Sequence, residues 1–221
     1  MADIPYWKLS AFYFFYFALL GAWLPYWPLY LQDAGFNPSE IALLASIMMA
    51  TKIFAPNLWG WLAARRGQRM PVIRLGALIS VISFSLVFIN QSFAMLVLVI
   101  SLYSFFWNAV LAQFEVVTLG HLGKEYQRYS RIRVWGSVGF ILAVAALGFV
   151  FDWLPLVYLL PILFLLLLCI WLSSLWVREP SAREGFVVPS AESFLQRLTQ
   201  PAILKFFVIC FLMQVAHGPY Y

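Results

Sequence analysis

Residues 114–140 read FEVVTLGHLGKEYQRYSRIRVWGSVGF. An acid, Glu115, sits inside one apolar segment. A basic loop follows, and then a base, Arg133, inside the next segment, just before Trp135-Gly136-Ser137-Val138-Gly139. An ionisable group within a membrane span costs about 2.5–3.5 kcal/mol on insertion scales. An opposite pair on adjacent spans is therefore either mutual neutralisation or a polar site. We read it as part of a solute pathway.

The rest of the chain is the setting such a pair needs. Of 221 residues, 64% are hydrophobic and 10% charged, whereas a soluble domain is about a quarter charged. Apolar runs of about 20 residues recur, which is the length of a membrane-crossing helix. Backbone polar groups must be satisfied inside lipid, so these runs read as helices; a barrel would show short alternating segments. The expected class is an all-α membrane protein. Cys169 and Cys210 lie inside apolar runs and read as packing residues. The N-terminal run is too long for a signal peptide and is preceded by Asp3. Nucleic-acid binding is not needed to explain the net charge of +5, because the position of the charges accounts for it.

Seven spans are expected, over 7–31, 41–64, 72–89, 93–119, 134–151, 156–177 and 202–221. Their connections alternate in charge. Arg65, Arg66, Arg69 and Arg74 follow the second span. Lys124, Arg128, Arg131 and Arg133 follow the fourth, and Arg178, Arg183, Arg197 and Lys205 follow the sixth. Asp33, Glu40 and Asp152 mark the other side. The positive-inside rule then puts the N-terminus in the cytoplasm. Residues 1–178 form a six-span bundle, 179–201 a cytoplasmic linker with a short amphipathic helix capped by Ser190, and 202–221 the start of a seventh span. The chain stops while still apolar, which reads as a fragment or a truncated product.

Individual residues admit two readings each. Trp23, Tyr26, Trp27 and Tyr30 read as an interfacial aromatic belt or as the lining of a cavity, on a helix that Pro25 and Pro28 should bend. Lys52 lies thirteen residues from both Ser39 and Arg65, roughly 20 Å from either end at about 1.5 Å per residue. Its stem cannot reach water, so it serves a polar interior or an ion pair. Asn108 and Glu115 are seven apart and share a helix face; Glu115 could also be an interfacial acid. Gly136 and Gly139 give the fifth span a smooth surface for close helix packing.

These residues resemble the first half of a major facilitator superfamily transporter. In that fold each six-span half is an inverted 3+3 repeat. The stretch Gly60-Trp61-Leu62-Ala63-Ala64-Arg65-Arg66-Gly67-Gln68-Arg69 resembles the family's conformational loop, with Ala64 where an acid is expected. The resemblance implies that Gly60, Arg65, Arg66, Gly67 and Arg69 act in that loop. Within the superfamily, the Glu115-to-Arg133 spacing followed by WGSVG resembles the lactose-permease-like proton symporters. Phe140 sits where those have a sugar-stacking tryptophan. The phenylpropionate-permease-like symporters look nearer, with a basic residue near Lys52 and a segment like His217–Tyr221. The resemblance implies a proton symporter of a small organic solute in the bacterial inner membrane, without a cofactor. Lys52, Asn108, Glu115, Arg133, Phe140, Trp23 and His217 are its implied solute-binding residues. The solute is an aromatic acid such as phenylpropionate, or alternatively a sugar or nucleoside.

Two other functions stay open on the sequence. A non-transporting membrane half-unit would fit the abrupt end. A membrane enzyme lacks support, because neither a zinc-protease HExxH nor a Gly-x-Ser-x-Gly elbow is present.

Overall fold

The structure is a computed structural model, and it describes residues 4–180 and 200–217. The chain divides into two units, Met1–Arg183 and Glu184–Tyr221. The first contains six long helices: α1 (Tyr6–Asp33), α2 (Pro38–Arg66), α3 (Met70–Ser85), α4 (Phe93–Leu122), α5 (Tyr129–Phe151) and α6 (Leu159–Trp176). Short 3-10 turns extend α3 over Leu86–Phe88, join α4 to α5 over Gly123–Arg128, and open α6 over Leu156–Tyr158. In the second unit, α7 (Pro201–His217) is an apolar helix of 17 residues. Most of the linker expected at 179–201, with the short helix capped by Ser190, lies outside the described residues, as does the end of the seventh span.

Among the described residues, five helical stretches are long and apolar enough to cross a membrane, and the one over Phe93–Phe151 contains both α4 and α5. The chain is an integral membrane protein. The helix ends follow local chemistry. α2 begins at Pro38, earlier than expected from hydropathy, because Asn37 and Glu40 form a capping box with backbone bonds of 2.9 and 3.0 Å. It ends at Gly67, whose φ of 66° favours glycine. α5 begins at Tyr129 rather than at 134, so Arg131 and Arg133 belong to its first turns and not to the loop. Hydropathy placed the boundary at the last arginine, whereas the backbone reverses earlier, at Gly123 and Glu125. α1 and α2 are assigned as continuous helices through Pro25, Pro28 and Pro56.

α1 packs against α5 and α6, α4 against α2 and α3, and α3 against α6. Exchanging the first three helices with the last three maps each of these pairs onto another or onto itself. The α1–α5 contact is close because glycines face backbone. A Cβ on Gly21 would lie 2.6 Å from the Phe140 carbonyl oxygen, and one on Gly139 would collide with the Phe14 carbonyl. This matches the smooth surface expected of Gly136 and Gly139.

α1 and α4 are instead bridged by rings. Phe12 stacks on Phe114 at 3.6 Å between centroids, and Tyr16 on Trp107 at 4.7 Å. The column continues from Trp107 to Tyr103, Trp23 and Trp27. Each such pair contributes about 0.5–1.5 kcal/mol beyond its buried area. Trp23 is only 4% exposed and packs in this ring column. Tyr30 is also interior, with its hydroxyl donating to Gln91 Oε1 at 2.8 Å.

Candidate functional site

Glu115 and Arg133 come to the same region of the bundle, where α1, α4 and α5 meet, but they form no ion pair: the salt bridge among the described residues joins Arg128 to Glu125. Three aromatic residues, Tyr13, Phe17 and Tyr129, and the Thr118 hydroxyl lie around them. Tyr129 donates from its hydroxyl to Glu115 Oε1 at 3.3 Å, a long bond for two oxygens. Tyr13 sets its ring edge-on to Tyr129, 6.4 Å between centroids, and its hydroxyl donates to Thr118 Oγ1 at 3.1 Å. The Arg133 guanidinium lies 3.7 Å from the centroid of the Phe17 ring and 5.6 Å from that of Tyr13. A guanidinium carries five N–H donors, and here its contacts are aromatic faces. The site can therefore accept a carboxylate or a pair of hydroxyls in the two-pronged geometry that arginine favours.

The other expected solute-binding residues are distributed. Lys52 stands at the midpoint of α2, about 21 Å from either end of the helix. Lys52 is exposed on the surface of this unit, as are the nearby apolar Ile53 and Met49, and among the described residues no carboxylate pairs with it. Asn108 is buried and turned to α2, donating to Thr51 Oγ1 at 2.9 Å and to the Met48 carbonyl at 3.3 Å. It fastens two helices rather than joining Glu115, although the seven-residue spacing placed both on one face. The backbone of Phe140 abuts Gly21, and its ring is half-buried. The side chain of His217 lies outside the described residues.

The conformational-loop residues assemble with partners that the sequence did not suggest. Gly60 faces Gln113 of α4: a Cβ there would lie 3.2 Å from Nε2. Arg69 donates to Gln113 Oε1. Arg65 stacks over the Trp61 ring at 3.9 Å, and Arg66 and Gly67 are exposed. Past the end of α6, Glu179 accepts from the backbone N–H groups of Arg69 at 3.0 Å and of Met70 at 2.7 Å. It caps the N-terminus of α3, where orphan donors and the helix dipole favour a carboxylate. Arg74 donates to the Val177 carbonyl at 2.8 Å, and His121 Nε2 lies 3.0 Å from the Arg178 carbonyl oxygen. The loop signature has Ala64 in place of its acid, and an acid reaches this loop from a position 110 residues away. Nothing local marked Glu179. Replacing it with alanine should cost about 1–2 kcal/mol, the range for a lost cap plus a lost charge at a helix start. The expected result is a lower melting temperature in detergent, with Glu179→Gln losing less because an acceptor remains. An unchanged melting temperature in Glu179→Ala would show the cap to be idle.

Known proteins show what this architecture belongs to. A maltose permease of Geobacillus stearothermophilus is 31% identical over 144 residues, covering 64% of this chain and 36% of the permease. A protein named probable 3-phenylpropionic acid transporter, from Escherichia coli (strain K12), is 24% identical over 140 residues, covering 63% of this chain and 37% of that protein. The crystal structure of a mutant of the nucleoside transporter NupG superposes with a TM-score of 0.75 at 20% identity, over 92% of this chain and 50% of the transporter chain. The chain thus spans between about a third and a half of these relatives. The relatives are carriers, not enzymes. Residues 6–221 match the model of the MFS_1 like family, and the chain belongs to that family, within the major facilitator superfamily.

Proposed function

We propose that this protein is a secondary transporter of a small organic anion, coupled to protons, in the bacterial inner membrane. One observation carries the reading. Three ionisable residues, Lys52, Glu115 and Arg133, lie on the spanning helices, two cations and one acid, and among the described residues neither cation has a carboxylate partner. An unpaired charge within a span costs free energy unless something compensates it. A carboxylate solute would do so at each cation. 3-Phenylpropionic acid, for which one relative is named a probable transporter, has such a group and an aromatic ring, which suits the ring-lined Arg133 site. Glu115, held by a long bond from Tyr129, is the candidate proton carrier. A second reading, a neutral sugar or nucleoside, is favoured by the likeness to maltose permease. On either reading Asn108 and Trp23 act as scaffold, and Phe140 and His217 remain candidate contacts.

The helix pairing supports the inverted 3+3 arrangement, because each pair maps onto another or onto itself under exchange of the two triplets. Alternating access would then rock this unit against a second half around a central site. The apolar face of α2, with Ile53, Phe54 and Leu58 exposed, is a surface for that half to cover.

Lys52→Met tests the anion reading directly. The protein expressed from its native gene should insert as well as the wild type, because a buried-depth charge has been removed rather than orphaned. Uptake of radiolabelled 3-phenylpropionate should fall about 100-fold, the scale of a lost contact to a desolvated charge. Normal uptake by a well-expressed variant would end the assignment of Lys52. Orientation has its own test. A cysteine at Asn37 should react with an impermeant maleimide added to intact cells, and one at Gln68 should not, since positive loops resist translocation. The opposite pattern would invert the topology.

A further inference from the structure

The direction taken by the Arg133 side chain is unusual for its place. Arg133 lies in the second turn of α5, close to the basic end of the helix. The Cα–Cβ bond of a helical residue tilts toward the helix N-terminus. A long cationic side chain at such a position ordinarily follows that tilt and reaches back to water. Here Nη1 lies instead beside Gly136, one turn further into the span: a Cβ on Gly136 would sit 2.7 Å from it. The same added carbon would sit 2.7 Å from Cδ2 of Phe17. The guanidinium therefore occupies a slot with two walls. One is the bare backbone of α5 at Gly136, and the other is the face of the Phe17 ring, 3.7 Å from the guanidinium carbon.

We infer that Gly136 and Phe17 are positioning residues that turn the Arg133 guanidinium into the membrane interior and hold it there for an anionic solute. Neither residue need touch the solute. Gly136 acts by lacking a side chain, which leaves room for Nη1 between the helices. Phe17 acts through its ring face, which attracts a cation that is partly stripped of water. The planar guanidinium can lie flat against the ring and still present its N–H edge to a carboxylate. Lysine could not share its charge between a ring face and a two-pronged acceptor in this way. The slot gives the anion-carrier reading a way to keep a charge away from the aqueous loop, and the inference rests on that reading for its purpose. Its geometry can be tested without it.

The experiment labels arginines in the protein expressed from its native gene and purified in detergent, using phenylglyoxal, with modification at each site followed by peptide mass spectrometry. Arg131, exposed in the neighbouring turn, is the internal reference. In the wild type, Arg133 should be modified more slowly than Arg131. In Gly136→Ala the guanidinium is expelled toward the loop, and its modification should become about tenfold faster, the scale of a lost cation–π contact. Phe17→Leu removes the ring without adding atoms, so it should insert normally and raise the rate similarly. Phe17→Tyr keeps the ring face and should restore the slow rate. A second readout is uptake of radiolabelled 3-phenylpropionate. Gly136→Ala and Phe17→Leu should each raise KM with little change in maximal rate, and the double variant Gly136→Ala with Phe17→Leu should lose no more than the larger single loss. Unchanged labelling of Arg133 in both Gly136→Ala and Phe17→Leu would overturn the inference, whatever the solute proves to be. Altered labelling without 3-phenylpropionate uptake by the wild type would uphold the slot and count against that solute alone.

Discussion

Replacing Arg133 with lysine is expected to leave the protein inserted and monodisperse while reducing uptake of 3-phenylpropionate about 10- to 100-fold, the range set by losing a two-pronged charged contact. An ammonium is a compact, strongly hydrated point charge, and its flexible stem can follow the usual path back to water. The arginine makes no ion pair with Glu115, so the change orphans no buried acid and should not unfold the protein. The double variant Glu115→Gln with Arg133→Gln sharpens the test. A structural ion pair would be strongly destabilised by either single replacement, at about 3–5 kcal/mol if fully buried, and restored by the double. Because the two are apart and each makes separate contacts, through Tyr129 and Phe17, both single variants and the double should insert normally and all should be inactive. Full transport in the double variant would show that the two residues are scaffold, and the anion site would have to be sought elsewhere.

The second large effect is on assembly. Gly139→Val should abolish recovery of folded protein, because its side chain would enter the backbone of Phe14 on α1. Overpacking a core costs about 1–3 kcal/mol when side chains can shift. Here the obstacle is main chain, which can yield only if α1 and α5 move apart and the whole glycine-lined contact is lost. Ser137→Val, on the exposed side of the same helix, places the same side chain away from the contact and should be harmless. Size-exclusion profiles of the two variants from matched membranes would decide the matter. A monodisperse Gly139→Val would mean that the helices are not held by this contact.

The sequence alone determined the membrane class and six of the spans, and it made Lys52, Glu115 and Arg133 conspicuous. These follow from one-dimensional constraints. A span needs a fixed length of apolar chain, its backbone must be helical, and a charge inside it is conspicuous because it is costly. Helix ends were legible only where the signal is local: the Asn37–Glu40 box lies within four residues, whereas the start of α5 depends on where the backbone reverses. The tertiary structure alone decided which residues meet. Seven-residue spacing put Asn108 and Glu115 on one face, yet Asn108 serves Thr51 on α2 while Glu115 meets Tyr129 on α5. A helix face a few rings wide can border two different neighbours. Trp23 read as a belt residue or a cavity lining from its place in the chain, and its partners in a ring column between α1 and α4 came from the packing. Glu179 gave no sign of itself, because the donors it caps are backbone groups of α3, and backbone groups look alike in every sequence. That Glu115 and Arg133 face the same region without pairing also belongs to the fold: the Arg133 guanidinium lies on the Phe17 ring beside Gly136, a setting that only the packing of α1 on α5 provides.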